Sequence, residues 1–213
     1  MHDTLTVCET FISIQGESGY AGYPCFFIRL TGCNLRCTYC DTTYAYNEGR
    51  ERSIDDVLIE AERAGIGLVE ITGGEPLLQE GTEALARRLI DSGFELLIET
   101  NGSVDISGVD ERAVIILDIK TPGSGMSDRM DFENLKRLRP QDEVKFVVTS
   151  GEDYRWAVEV INEYCLEQRR VLLSPAMGYV RPEELSRWMI ADKLGARLNL
   201  QIHKYIFGDE RGV

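Results

Sequence analysis

Cys33, Cys37 and Cys40 stand in a C-x3-C-x2-C spacing. Thiolates are soft ligands, suited to zinc and to iron–sulfur clusters. A structural zinc site takes four ligands, commonly as two C-x2-C hooks. Only one such pair is present, Cys37 with Cys40, and the chain's two histidines, His2 and His203, lie far from it in sequence. Three thiolates leave the fourth iron of a cubane without a protein ligand, the opening a cluster needs if it is to bind a small molecule. Spacing alone leaves zinc, a purely structural cluster and plain surface thiols as alternatives. Gly32 permits the tight backbone such a loop requires.

Other residues could do chemistry beside the triad. Gly73-Gly74-Glu75 follows an apolar run ending at Thr72. Gln15, Glu17 and Arg29 flank the first apolar runs and are expected near the mouth of one site. Gln15 and Glu17 suit the amide and amino edge of a guanine-like ring, and Arg29 suits a carboxylate through its two-pronged guanidinium. Each taken singly reads equally well as a solvated side chain. His203 and Lys204 read either as proton-handling groups or as structural residues closing the last strand. The remaining cysteines, Cys8, Cys25 and Cys165, lie in apolar surroundings and are expected to be buried and inert.

These residues must be positioned by the elements between them. Apolar, β-rich runs occur at 25–30, 68–72, 94–99, 114–119, 144–149, 171–173 and 198–202. Ser53 with Asp56 forms a near capping box for a helix carrying Ile54, Val57, Leu58 and Ala61 on one face, stopped by Gly65. A second helix is expected over 82–91, and further ones near 132–138, 153–167 and 182–194. Strands alternating with helices imply an α/β fold with a parallel sheet and right-handed crossovers. The strands are too few for a closed barrel of about 250 residues, which leaves a partial barrel or curved sheet. Functional groups then belong at the carboxyl ends of the strands, where the cysteine loop, Gly73-Gly74-Glu75, Asn101-Gly102 and Lys120 all fall.

Composition narrows the partners. The formal net charge of −13 over 213 residues is poorly suited to phosphate backbones, so nucleic acid is not an expected partner. No apolar run reaches the roughly 18 residues of a membrane helix. The stretch Met1-His2-Asp3-Thr4 lacks the basic and apolar regions of a leader, so a cytoplasmic location is expected. No linker or repeat stands out, and residues 1–213 read as one domain.

The octapeptide from Cys33 to Cys40, with an aromatic before the last cysteine, and Thr72-Gly73-Gly74-Glu75-Pro76 resemble the radical S-adenosylmethionine superfamily. The resemblance implies a 4Fe-4S cluster whose open iron chelates the amino and carboxylate groups of S-adenosylmethionine. One-electron reduction then yields methionine and a 5′-deoxyadenosyl radical. The paired glycines would let backbone groups approach the methionine amino group. The runs SIQGE, FIRLTGCNLRCTYCDTTYA, ITGGEP and QIHK, spread over nearly the whole chain, resemble more closely the 7-carboxy-7-deazaguanine synthase family.

That family resemblance implies a carbon–nitrogen lyase acting in 7-deazapurine and queuosine biosynthesis, with a partial barrel of about six strands. Its substrate would be 6-carboxy-5,6,7,8-tetrahydropterin, contracted to 7-carboxy-7-deazaguanine with loss of ammonia. It implies a magnesium requirement, a homodimer and a flavodoxin- or ferredoxin-type electron donor. By position, Ile14, Gln15, Gly16, Glu17, Arg29 and Thr72 fall at the substrate. Tyr39, Cys40, Asp41, Gly74, Glu75, Asp118, Ile119 and Lys120 fall at S-adenosylmethionine, and Thr42 at magnesium. Two departures stand out: Ser18 replaces a glycine common among relatives, and the C-terminus lacks the proline that some place against the substrate. Activation of a glycyl-radical enzyme and non-catalytic metal binding are the rival readings.

Overall fold

The computed structural model describes residues 3–208 and 210–213. Met1 and His2, from the stretch read above as lacking a leader, and Asp209 of the C-terminal tail lie outside the described residues. The chain opens with β1 (Thr4–Ile14), β2 (Pro24–Leu30) and β3 (Arg50–Ser53). Then come α1 (Ile54–Ala64), β4 (Leu68–Gly73), α2 (Thr82–Asp91), β5 (Glu95–Thr100), β6 (Val114–Lys120) and α3 (Glu133–Arg137). It closes with β7 (Glu143–Val148), α4 (Gly151–Glu163), β8 (Arg170–Pro175), α5 (Pro182–Ala191), β9 (Arg197–Leu198) and α6 (Ile202–Phe207).

The described strands form one sheet in the order β3-β1-β2-β4-β5-β6-β7-β8-β9. From β2 to β9 neighbours are parallel, and β1 runs antiparallel to both β2 and β3. The six full-length parallel strands, β2 and β4 to β8, are the expected partial barrel. Helix α1 carries the predicted caps: the Ser53 side chain accepts from the backbone N–H of Asp56, and Gly65 ends it in the left-handed conformation at φ 67°.

Alternation along each strand divides two cores. Ile28, Val69, Ile71, Leu96 and Ile98 pack on α1 and α2, while Ile115, Leu117, Val144, Phe146 and Leu173 belong to the cluster that includes α4 and α5. The opposite face turns into the lumen. There Cys25, Phe27, Leu68, Leu97, Val114 and Ile116 form an apolar plug near the amino ends of the strands. Two residues further along β2, β4, β5 and β6 the same face carries Arg29, Glu70, Glu99 and Asp118. The lumen therefore has an apolar floor and a charged layer above it.

The open side of the sheet is filled by the turn after β1. Its Gly16 carbonyl accepts from the N–H of Ile202 at 2.9 Å. The Ser18 N–H donates to Asn199 Oδ1 at 2.9 Å, and the Gly19 N–H donates to Glu143 Oε2 at 2.8 Å. Ser18 sits at φ 62°, a region that favours glycine. Its hydroxyl recovers part of the strain by accepting from the N–H of Tyr20 at 3.1 Å.

Several expectations are corrected. The last predicted strand shrinks to two residues, Arg197 and Leu198, and His203 and Lys204 lie on α6 rather than at a strand end. The helix over 153–167 stops at Glu163 and continues as a separate turn at Leu166–Gln168. Of the scattered cysteines only Cys25 is buried; Cys8 is half-buried and Cys165 is exposed. Among the described residues no helix is long and apolar enough to cross a membrane.

Candidate active site

The loop after β2 carries the three cysteines across the carboxyl end of the sheet. Leu35, 1 % exposed, drops from its middle into the core and anchors it. Gly32 turns at φ 99° while its N–H donates to the Ala45 carbonyl at 2.8 Å. The Thr38 N–H donates to Ser124 O at 3.0 Å and its hydroxyl to Gly123 O at 2.8 Å. Cys33, Cys37 and Cys40 all line a cavity of about 660 Å³ that descends from this loop to the charged layer. Gly74 closes against the same loop: a Cβ there would fall 2.7 Å from the Cβ of Cys33.

Glu75 holds the two loops together without lining the cavity. It is wholly buried, and its carboxylate accepts from Leu77 N–H at 3.0 Å, the Thr100 hydroxyl at 2.8 Å and Asn101 N–H at 2.6 Å. Its own N–H donates to Gly32 O at 2.8 Å. Burial pushes its carboxyl up to about 7 despite the three donors. A Glu75→Gln change presents an amide N–H to one of those donors. We expect a loss of about 1–3 kcal/mol, measurable by denaturant unfolding of the apoprotein. Unchanged stability would count against this bracing role.

In the charged layer Lys145, on β7, is 4 % exposed. Its ammonium pairs with Glu17 Oε2 at 2.9 Å, Asp118 Oδ2 at 3.2 Å and, closely, Glu99. Lys120 pairs with the same oxygen of Asp118 at 2.9 Å. Burial opposes the Lys145 charge, yet Asp118, Glu17 and Glu99 together drive its pKa well above the ordinary value. Burial likewise pushes Glu17 up, but Lys145, the Gln201 amide and His203 outweigh it and hold that carboxyl below its ordinary range. Among the described residues Glu70 has no such cation in contact. Burial, then the charges of Glu99 and Glu17, raise it well above the carboxylate range, and Gln15 Nε2 donates to it.

Arg29 enters from the other flank. Its Nε donates to Glu9 Oε1 at 2.8 Å, and its guanidinium lies over the rings of Phe11 at 5.6 Å and Tyr44 at 6.0 Å. Above it the C-terminal tail folds down: Arg211 bonds Glu9 at 3.0 Å and Glu48 at 2.8 Å and stacks on Tyr44 at 3.6 Å.

Of the residues assigned from sequence, Ile14, Glu17, Arg29, Tyr39, Asp41, Thr42, Thr72, Gly74, Asp118 and Lys120 line the cavity with the triad. Gln15 and Gly16 lie just behind it, Gln15 against Glu70 and Gly16 where a Cβ would overlap the His203 ring. The Thr42 hydroxyl donates to Asp41 Oδ1 at 3.0 Å, and Asp41 Oδ2 pairs with Lys204 at 2.5 Å. Ile119 does not reach the cavity with its side chain. Alternation turns Asp118 and Lys120 into the lumen and Ile119 into the helix-side core, with no exposed surface. The sequence reading missed Lys145, Glu70, Glu99 and Glu9. A usable signal was present: a charge inside a largely apolar strand, two residues from a neighbour that faces the site, has to find a partner in a common layer.

The thiols fit an iron–sulfur cluster. None is in a disulfide, and all three face one cavity. Burial raises the Cys33 and Cys37 thiols, so their thiolates form as metal binds. A cubane takes each thiolate on a different iron, which suits three cysteines of one loop facing one cavity. Three buried polar atoms lack a partner among the described residues: Ser13 Oγ, Tyr39 Oη and Asp118 Oδ1. All three residues line the cavity, as expected of groups that bind a polar ligand.

Residues 27–165 match the Radical SAM superfamily. The 7-carboxy-7-deazaguanine synthase of Koribacter versatilis is 42 % identical over 97 % of this chain and 98 % of its own. That of Chlorobaculum tepidum is 42 % identical over 98 % of this chain and 97 % of its own. The crystal structure of QueE from Escherichia coli superposes with a TM-score of 0.76 at 24 % identity, covering 94 % of this chain and 95 % of that one, which is a likeness of fold. With the cysteine triad facing a charged lumen at the carboxyl ends of a parallel sheet, the chain belongs to the radical S-adenosylmethionine superfamily and, within it, to the 7-carboxy-7-deazaguanine synthase family.

Proposed function

We propose that this chain converts 6-carboxy-5,6,7,8-tetrahydropterin into 7-carboxy-7-deazaguanine with loss of ammonia, as a magnesium-dependent cytoplasmic homodimer reduced by a flavodoxin- or ferredoxin-type donor. The observation that carries the reading is that Arg29 and Glu17 line one cavity, each held by a different partner. A guanidinium on the β2 flank suits the substrate's carboxylate. An ionised carboxylate on the β7 flank suits the N–H edge of the pterin ring. Radical chemistry is supplied by the 4Fe-4S cluster and S-adenosylmethionine when bound.

The protein's own part is positioning. Cys33, Cys37 and Cys40 hold the cluster, while Tyr39, Asp41, Gly74, Asp118 and Lys120 line the wall for S-adenosylmethionine. The orphaned Tyr39 Oη and Asp118 Oδ1 lie in this wall. Glu9 and the two aromatic rings fix Arg29, and Lys145 fixes Glu17. Thr42 would supply the protein's oxygen to magnesium; a hydroxyl is a weak ligand for that cation, so substrate oxygens would be needed beside it. Gln15 lies behind the substrate wall, its amide donating to Glu70, whose carboxyl burial raises well above the carboxylate range.

The test is anaerobic turnover of reconstituted, reduced protein with S-adenosylmethionine, magnesium and carboxytetrahydropterin. The expected result is 7-carboxy-7-deazaguanine with one ammonia released per product. Deoxyadenosine formed without deazaguanine would remove the assignment.

A further inference from the structure

Asn101 begins the loop after β5 and is 6 % exposed. Both of its side-chain N–H groups have partners: Asn34 Oδ1 at 3.2 Å and the sulfur of Cys33 at 3.8 Å. The orientation of this amide is fixed by what surrounds it. Its Oδ1 accepts from Ser103 N–H at 3.0 Å and from the Ser103 hydroxyl at 2.6 Å. Ser103 Oγ in turn accepts from Asn34 Nδ2 at 2.8 Å. Turned over, the amide would set its NH2 against the Ser103 N–H and its oxygen against the sulfur, losing contacts at both ends.

The backbone is fixed too. Glu75 accepts from the Asn101 N–H at 2.6 Å and donates through its own N–H to Gly32 O at 2.8 Å, setting the distance between the Asn101 loop and the cysteine loop. A second donor, the Leu35 N–H, reaches the same sulfur at 3.4 Å. Two N–H dipoles therefore converge on Cys33.

We propose that Asn101 is a positioning residue for the redox step: its amide N–H, aimed at the Cys33 thiolate by the Asn34–Ser103 ring, raises the reduction potential of the cluster held by the triad. Reduction adds one electron, delivered by a low-potential one-electron carrier, and the added charge spreads over the irons and their thiolates. A donor pointing at a ligating sulfur stabilises the reduced state more than the oxidised one. The inference depends on the cluster and not on which substrate fills the lumen, so it stands or falls separately from the pterin assignment.

The experiment is a potentiometric titration of the reconstituted full-length protein with dithionite as reductant, followed by electron paramagnetic resonance. Asn101→Ala is expected to lower the midpoint by a roughly tenfold shift in the reduction equilibrium, about 59 mV for one electron. Asn34→Ala, which leaves the Asn101 donor held by Ser103, is expected to shift it less. A midpoint equal to wild type at full iron content would overturn the proposal, whatever happens to thermal stability. If Asn101→Ala does not retain its cluster, the wild type decides. With asparagine labelled with nitrogen-15 in the side-chain amide, electron spin echo of the reduced cluster should show a weakly coupled labelled nitrogen, and its absence overturns the proposal.

Discussion

Cys37→Ala is expected to abolish cluster assembly and S-adenosylmethionine cleavage while leaving the apoprotein folded. One thiolate of three is lost, which leaves two irons of a cubane without a protein ligand. The fold should survive because the loop is anchored by Leu35 and by the Thr38 bonds to Gly123 and Ser124, none of which involves the Cys37 side chain. Cys37 packs only at the edge of the core, so the apoprotein should stay within about 1 kcal/mol of wild type. Iron content, the brown absorbance of the reconstituted protein and release of 5′-deoxyadenosine check the first part; thermal unfolding of the apoprotein checks the second. Cleavage at wild-type rate would remove the triad from its assigned role.

Lys145→Met is the other large effect, because it takes one cation from three carboxylates at once. Removing one partner from a buried ion network costs roughly 3–5 kcal/mol, since the charges left behind remain desolvated. The loss should depend on pH, with a sign that identifies its cause. In the wild type Glu17 and Asp118 have depressed pKa values, so they contribute stability above the unfolded carboxylate range and lose it as the pH falls. Without Lys145, Glu17 loses its main counter-charge and burial is expected to raise it above the unfolded value, while Asp118 keeps Lys120. The variant is then destabilised as the pH rises and partly recovers on acidification.

The deficit against wild type should therefore be smaller at pH 5.5 than at pH 7.5 in denaturant unfolding. An equal deficit at both would mean that lost packing, not unpaired charge, is responsible. In turnover assays the variant should lose deazaguanine formation far more than uncoupled S-adenosylmethionine cleavage, with partial recovery in Lys145→Arg.

The two effects differ in how visible their residues are in the chain. Cys37 belongs to a spacing that has few meanings. Lys145 sits in the run Glu-Val-Lys-Phe-Val-Val, which reads as an ordinary buried strand until the neighbouring strands are laid beside it. The same holds for Glu70 in β4 and Glu99 in β5. Alternation turns both to the lumen face, and the register staggers them along it, Glu70 opposite Leu97 and Glu99 opposite Ile116.

The first strand was illegible for a different reason. In β1, Leu5 and Val7 face α1 and α2, whereas Phe11 and Ser13 face the lumen. These residues share one parity, so simple alternation would put them on one face. A bulge between Val7 and Glu9 reverses the phase, pairing Val7 with Leu30 and Glu9 with Arg29. No propensity at Cys8 announces it. The bulge is what delivers Glu9 to Arg29.

Local interactions are written in the chain itself. The caps of α1, the apolar runs that became β2 and β4 to β8, and the C-x3-C-x2-C loop each depend on residues within a few positions of one another. That is enough to announce a parallel α/β sheet and iron–sulfur chemistry at its carboxyl end. The tertiary structure alone decided which charges meet. Glu17 and Lys145 are 128 residues apart, and Asn101 and Cys33 are 68 apart. Their pairing follows from strand order, register and one bulge, because a buried charge or an aimed N–H is set by whatever the fold brings within hydrogen-bonding reach and not by its neighbours in sequence.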